Sequence, residues 1–193
     1  MKVISIGQSV RCLESTKSAA HVMLGAVYVA LLSQLEIPVK PVPVTMQTFA
    51  VLTLALAQGS KKAPLSLLLY LFAASIGMPV LAGWSIDPLW ILSPSGGFLL
   101  SFPLAAYVVG RMKEIEGPRS SMWVALGLTL GQIVMFSFGL AWLSFLVGNE
   151  QALICGFYPF ILLDTLKLGG AFSFAMAGKS AKILWKKFFL TSS

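Results

Sequence analysis

Asp164 and Lys167 are the residues of this chain whose types and spacing most directly suggest chemistry. They stand three apart in Tyr158-Pro-Phe-Ile-Leu-Leu-Asp-Thr-Leu-Lys167, a stretch that is otherwise largely apolar. On a helix, i and i+3 side chains share a face. Ionisable groups inside an apolar span are costly and mark function unless they neutralise one another. Two readings stand side by side. Either the pair only fixes helix packing, or Lys167 meets a ligand carboxylate while Asp164 accepts N–H donors. Asp164 also suits the start of a helix by the sign of the macrodipole.

Two further segments carry unusual residues. Ile37-Pro-Val-Lys-Pro-Val-Pro-Val-Thr-Met-Gln47 holds Pro38, Pro41 and Pro43. Prolines at this density forbid a helix and favour an extended path. Thr45 and Gln47 then offer polar groups at the mouth of the next span, either as a helix cap or under a rigid lid. The second segment, residues 76–98, is rich in Trp, Gly and Pro. Trp84 and Trp90 are either interfacial anchors or surfaces for a flat ligand. Ser93-Pro-Ser-Gly-Gly reads as a tight turn whose backbone N–H groups approach whatever sits above it. Gly96 and Gly97 serve that turn or close helix packing.

Other chemistries find no support. Gly178-Lys-Ser180 resembles the tail of a P-loop, but the position of the first glycine is Ser173. No nucleophile, base and acid form a set, and His21 stands alone. Cys12 and Cys155 fit no metal spacing. The reading is of a non-enzyme with no cofactor and no metal.

The elements that must position these residues follow from composition. Of 193 residues, 57% are hydrophobic and 11% charged, against about 25% charged in a typical soluble domain. Mean hydropathy is +0.85. A soluble catalytic domain is excluded, and the chain is read as an integral membrane protein. Candidate spans are Ala19–Leu35, Thr45–Gln58, Ala63–Val80, Gly96–Met112, Ser121–Val147 and Phe160–Gly178. Thr45–Gln58 is short for a bilayer that takes about 20 apolar residues.

Charge arbitrates. The net charge is +7, and the positive-inside rule assigns it to cytoplasmic loops rather than to nucleic acid. With six spans and both termini inside, the cytoplasmic segments collect Lys2, Arg11, Lys17, Lys61, Lys62, Arg111, Lys113, Arg119, Lys179, Lys182, Lys186 and Lys187. Lys40 stays outside and Lys167 lies within the last span. Leaving out the second span scatters these charges, so six spans are expected, with residues 1–18 and 188–193 as cytoplasmic ends of one membrane domain, 19–187. No small-x-small site follows the first span, which disfavours a cleaved signal peptide. Residues 147–158 are expected to form an outer loop or short helix. The three segments above then fall on one outer face, which suggests a binding site for a small molecule with polar ends.

Small residues recur at helical spacing as Ala26-x-x-x-Ala30 and Gly127-x-x-x-Gly131. They serve internal packing or docking of another membrane subunit.

Together these stretches resemble the BioY family of biotin transporters. The resemblance rests on Pro41-Val-Pro-Val-Thr-Met-Gln-Thr-Phe49, Leu69-Tyr70 through Gly77-Met-Pro79, Ser93-Pro-Ser-Gly-Gly-Phe98, and Pro159-Phe160 with Asp164 and Lys167. It covers about residues 20–185. It implies an all-α bundle of six transmembrane helices, the substrate-binding (S) component of an energy-coupling factor (ECF) transporter in the cell membrane. Such a component captures biotin from outside. It works with a transmembrane coupling protein and ATPase subunits, or as a homo-oligomer. Alternatives are an S component for another small vitamin and a structural membrane protein. By the same resemblance Asp164, Lys167, Gln47, Thr45, Tyr70, Trp84, Trp90, Ser95, Gly96, Gly97 and Phe98 are substrate-binding candidates. Ala26 and Ala30 would meet the coupling protein. Ser95 and Phe98 stand where the family usually has Thr and often Tyr, and Leu162-Leu163 where it has Pro-Gly.

Overall fold

A computed structural model describes the backbone of residues 2–115 and 117–190, and the side chains of residues 16–115 and 117–180. The expectations placed on the side chains of Lys2, Arg11, Cys12, Lys182, Lys186 and Lys187 lie outside the described residues.

The elements in chain order are α1 (Lys2–Ser33), β1 (Glu36–Ile37), β2 (Val44–Thr45), α2 (Gln47–Ser75), α3 (Gly96–Lys113), α4 (Ser120–Val147), α5 (Asn149–Gly156) and α6 (Tyr158–Leu190). Single turns of 3-10 helix at Ala82–Trp84 and Trp90–Leu92 interrupt the long connection between α2 and α3. α5 is the short helix expected before the last span.

α2 is two helices. Gly59 adopts φ 77° and ψ −174°, a conformation open to glycine because it lacks a Cβ. There the chain folds back. Gln47 at the start of the first half donates to the Tyr70 hydroxyl near the end of the second, 2.7 Å away. The halves, residues 47–58 and 60–75, are the second and third expected spans. The new helix start is capped from α3. The Ser60 backbone N–H and hydroxyl both donate to the Glu114 carboxylate, at 2.8 and 2.9 Å. This serves N–H groups that a helix start leaves unpaired. Gly110 makes the crossing possible, since a Cβ there would overlap the backbone of Gly59 and Ser60.

The third expected span stops earlier than its apolar pattern, at Ser75 rather than Val80. The Met78 N–H donates to the Ala73 carbonyl and the Gly77 N–H to the Ala74 carbonyl, with Gly77 at φ 83°. This is the Schellman stop that a glycine after the last turn permits.

Three helices are long and apolar enough to cross a membrane by length and composition, over Thr16–Ser33, Ser120–Val147 and Tyr158–Ser180. These lie at the periphery. α1 exposes Met23, Leu24, Val27 and Leu31 and buries Gly25, Val29 and Ser33, an apolar outer surface that suits lipid. α2 and α3 are central, whereas α5 lies against α4 and α6 with most of its residues exposed. α1 packs on α2, α2 on α3, α3 on α4, and α6 lies against α2, α4 and α5. Residues 47–58 reach only about 18 Å at 1.5 Å per residue, yet Ala50 through Leu56 are all buried. This segment is held by its neighbours rather than by its own hydropathy. Gly127 and Gly131 are used inside the bundle, where a Cβ would overlap Met112 and Val109 of α3.

The bundle has two chemically distinct ends. At one, the Gln58 amide donates to the His21 carbonyl at 2.7 Å, and Lys179 donates to the Ser120 hydroxyl at 2.7 Å. Lys17, Lys61, Lys62, Arg111, Lys113 and Arg119 belong to the same end. At the other lie β1, β2 and the connection between α2 and α3.

Candidate functional site

Asp164 and Lys167 sit in the second and third turns of α6. Pro159 is tolerated near the helix start because its missing N–H has no intrahelical partner there. The helix then runs unbroken through Leu162-Leu163. Both charged side chains point into the bundle. Asp164 is 3% exposed.

The pair is embedded in a polar cluster drawn from three helices and the ribbon. The Lys167 ammonium donates to Asp164 Oδ1 at 2.5 Å, to the Thr45 backbone carbonyl at 2.7 Å and to Thr48 Oγ1 at 3.1 Å. An ammonium has three donors, so all are used. Thr48 in turn donates to Asp164 Oδ1 at 3.1 Å. From α4, Gln132 Nε2 donates to Asp164 Oδ2 at 2.9 Å. A buried ion pair persists only where such extra hydrogen bonds offset desolvation.

A cavity of about 210 Å³ opens over this cluster. Pro41, Val42, Pro43 and Thr45 of the ribbon line one side, and Ser93, Pro94 and Ser95 line another. The expected extended, proline-rich path is present but doubles back as β1 and β2, with Glu36 opposite Thr45 and Ile37 opposite Val44. The Lys40–Pro41 peptide at its tip is cis. Val42 and Val44 are buried, so the ribbon is anchored in the core.

The cavity floor is aromatic. Phe98 stacks on Phe160 with centroids 6.2 Å apart and 17° between planes, and meets Phe136 edge-on at 6.4 Å. Gly139 of α4 leaves room for the Phe98 ring, which a Cβ would overlap. This wall suits an apolar ligand body, with the charged cluster at its polar end.

Of the residues picked out from sequence, Thr45, Gln47, Ser95, Phe98, Asp164 and Lys167 line the cavity together. Tyr70 stands behind Gln47 and fixes its amide. The other four lie outside the lining. A Cβ on Gly96 would overlap the Ile91 carbonyl, and one on Gly97 would overlap Trp142 and the Phe138 carbonyl. They seat the start of α3 and so position Ser95 and Phe98. Trp90 is buried, and its indole donates to Ser75 Oγ at 3.0 Å, tying the connection to the end of α2. Trp84 is 60% exposed; its backbone N–H donates to Gln34 Oε1 at 2.7 Å. Ala26 and Ala30 are half-buried and pack against the core.

Thr48, Gln132, Phe136 and Phe160 also line the cavity and were not singled out as site residues from sequence. Gln132 left one signal, a single amide midway along the most apolar helix. Phe136 left none, and Phe160 only its place beside Pro159 in the quoted motif, because only packing brings α3, α4 and α6 together.

The BioY family model matches residues 6–183. The chain belongs to the BioY family. This is a family of transport proteins, not enzymes. A protein of Pyrococcus horikoshii named "Probable biotin transporter BioY" is 35% identical over 79% of this chain and 92% of its own length. The biotin transporter BioY of Thermotoga maritima is 31% identical over 77% and 88%, and BioY2 of Lactococcus lactis is 32% identical over 80% and 87%. The fold is shared with the crystal structure of the S-component for biotin from an ECF-type ABC transporter. That match has a TM-score of 0.68 at 22% identity, over 86% of this chain and 93% of that one. The all-α, six-helix reading of a BioY-like membrane protein therefore holds.

Proposed function

We propose that this protein captures biotin from outside the cell membrane and delivers it inward as the S component of an ECF-type transporter. One observation carries the reading. The buried Asp164–Lys167 pair, held by Thr45, Thr48 and Gln132, faces an aromatic-walled cavity under a proline-rich ribbon. A ligand with a polar ring and an apolar middle matches that lining. Membership in a family whose named relatives are biotin transporters supports the same substrate.

Within the site, Lys167 has its three donors engaged, whereas the Asp164 carboxylate keeps one lone pair available, on Oδ2. Asp164 accordingly accepts a ligand N–H, and Lys167 holds the carboxylate charged and in place. The ribbon acts as the lid. The basic end of the bundle faces the cytoplasm by the positive-inside rule, and the cavity end faces outward. Ala26 and Ala30 flank the exposed face of α1, where a transmembrane coupling protein would dock; ATPase subunits or a second copy of the chain complete the transporter.

The test is retention of labelled biotin by the purified protein in detergent. Displacement by unlabelled biotin and not by other vitamins is the expected result. Displacement by a different vitamin would reassign the substrate.

A further inference from the structure

Residues 76–95, which join α2 to α3, divide their side chains unevenly. Toward the cavity they offer small and polar groups, among them Ala82, Ser85, Asp87 and Ser93. The large apolar ones stay outside. Trp84, Ile86, Leu89 and Leu92 are each at least 60% exposed, and none of them lines the cavity. Asp87 is the only charged residue between Lys62 and Arg111. Its Oδ1 accepts the Leu89 N–H at 3.1 Å. A contiguous apolar surface with so little charge marks contact with a partner or a membrane rather than with water.

Helix length places this surface in the bilayer. The second half of α2 starts at Lys61 and Lys62, and α3 ends at Arg111 and Lys113, basic residues that mark the inner interface. From there the two helices rise only about 24 and 27 Å at 1.5 Å per residue. The hydrocarbon core is about 30 Å thick. The connection at their outer ends therefore meets lipid before it meets water. Each helix also keeps one exposed apolar stripe leading to it. Leu65, Leu68, Phe72 and Ile76 form the first, and Leu100, Leu104 and Tyr107 the second. The backbone is equipped for this depth, where polar groups need internal partners. The N–H groups of Trp84, Ser85, Leu89, Trp90, Leu92 and Ser93 all donate within the protein. Trp84 stands at φ 56°, rare for a bulky residue. Backbone strain kept at an exposed indole points to a use for it.

We propose that residues 84–92 are a membrane anchor. Trp84, Ile86, Leu89 and Leu92 dip into the outer leaflet at the boundary of headgroups and acyl chains, the level that tryptophan favours. Phospholipid then supports one wall of the cavity from outside. The partner is lipid rather than another protein because the patch continues the apolar stripes of two membrane helices. The inference needs only the membrane reading and stands or falls apart from the substrate.

The test uses a Cys12→Ser, Cys155→Ser chain in phospholipid nanodiscs. Nitroxide labels are placed on Ile86→Cys, Leu89→Cys or Leu92→Cys. Leu68→Cys is the lipid reference, and Lys40→Cys, at the exposed ribbon tip, is the water reference. Paramagnetic resonance reads collisions with oxygen, which concentrates in lipid, and with a polar nickel chelate. The oxygen-to-nickel ratio at the three positions should exceed that at position 40 several-fold and approach that at position 68. A ratio equal to that at position 40 puts the connection in water and overturns the proposal. Labels shielded from both reagents overturn it as well, because protein then covers the patch. Where a labelled chain does not fold, tryptophan fluorescence decides. The emission that Trp84→Phe removes should be quenched by phospholipid brominated near the headgroup and little by aqueous iodide. The reverse overturns the anchor.

Discussion

The Lys167 ammonium on α6 donates to the backbone carbonyl of Thr45 on β2 at 2.7 Å. One side chain therefore links the helix that carries Asp164 to the strand that covers the cavity. Lys167→Met should release both. It leaves Asp164 as an uncompensated buried charge, a defect that costs about 3–5 kcal/mol when a buried pair is broken. A lower melting temperature in detergent, faster hydrogen exchange at residues 44–47 and weaker biotin binding are expected together. The double variant Asp164→Asn with Lys167→Met should recover much of the stability and none of the binding.

A charge swap separates binding from packing. Asp164→Lys combined with Lys167→Asp keeps two opposite charges on the same face. If the pair only locked α6 in place, function would survive. Here the acceptors at position 164 face Gln132 and the cavity, so the swap is expected to abolish biotin binding. Uptake by cells carrying the swapped chain is the direct assay.

Much of this arrangement was legible in the chain itself. The apolar segments and the asymmetry of Lys and Arg located six helical segments, although residues 47–58 are too short to cross a bilayer alone. Asp164 and Lys167 stood out because charge inside an apolar span needs a reason. Thr45, Gln47, Ser95 and Phe98 followed from motif resemblance. The roles of Trp90, Gly96 and Gly97 were not readable, because a buried anchor and a ligand surface have the same composition. Trp90 turns its indole to Ser75, a direction set by tertiary packing. Thr48 and Gln132 were passed over for a related reason. A lone polar residue on an apolar helix shows its purpose only when its partner, here Asp164, comes from over 30 residues away.

Gly139→Ala tests the aromatic wall. The added methyl would overlap the Phe98 ring and push it from its stack on Phe160. Overpacking of this kind costs about 1–3 kcal/mol. Biotin affinity should fall, and truncating the ring as well, with Phe98→Leu, should ease the strain.

Tyr70→Phe removes the hydroxyl that accepts from Gln47 at 2.7 Å. The buried Gln47 amide loses that partner, at a cost of about 1–3 kcal/mol. Because Gln47 also lines the cavity, both melting temperature and biotin affinity should drop, with normal expression and membrane insertion.

The fold-back of α2 predicts a pH dependence. The backbone N–H of Ser60, more than any other group, holds the Glu114 carboxyl below its ordinary value of 4.5. Its folded-state pKa is thus depressed. The stabilisation is fully present above the unfolded value and is lost as pH falls through the folded one. Melting temperature should fall with acidification below the ordinary carboxylate range, and Glu114→Gln should flatten that decline. The group is largely exposed, so the slope will be shallow and weaker in high salt.

Equilibrium binding of labelled biotin to the purified wild-type protein in detergent is the most direct measurement of substrate capture. Saturable binding tighter than about micromolar, equivalent to roughly 8 kcal/mol, with a rise in melting temperature on adding biotin, is the predicted result. Binding no tighter than that, and no ligand-induced rise in melting temperature, would contradict biotin capture at the Asp164–Lys167 site.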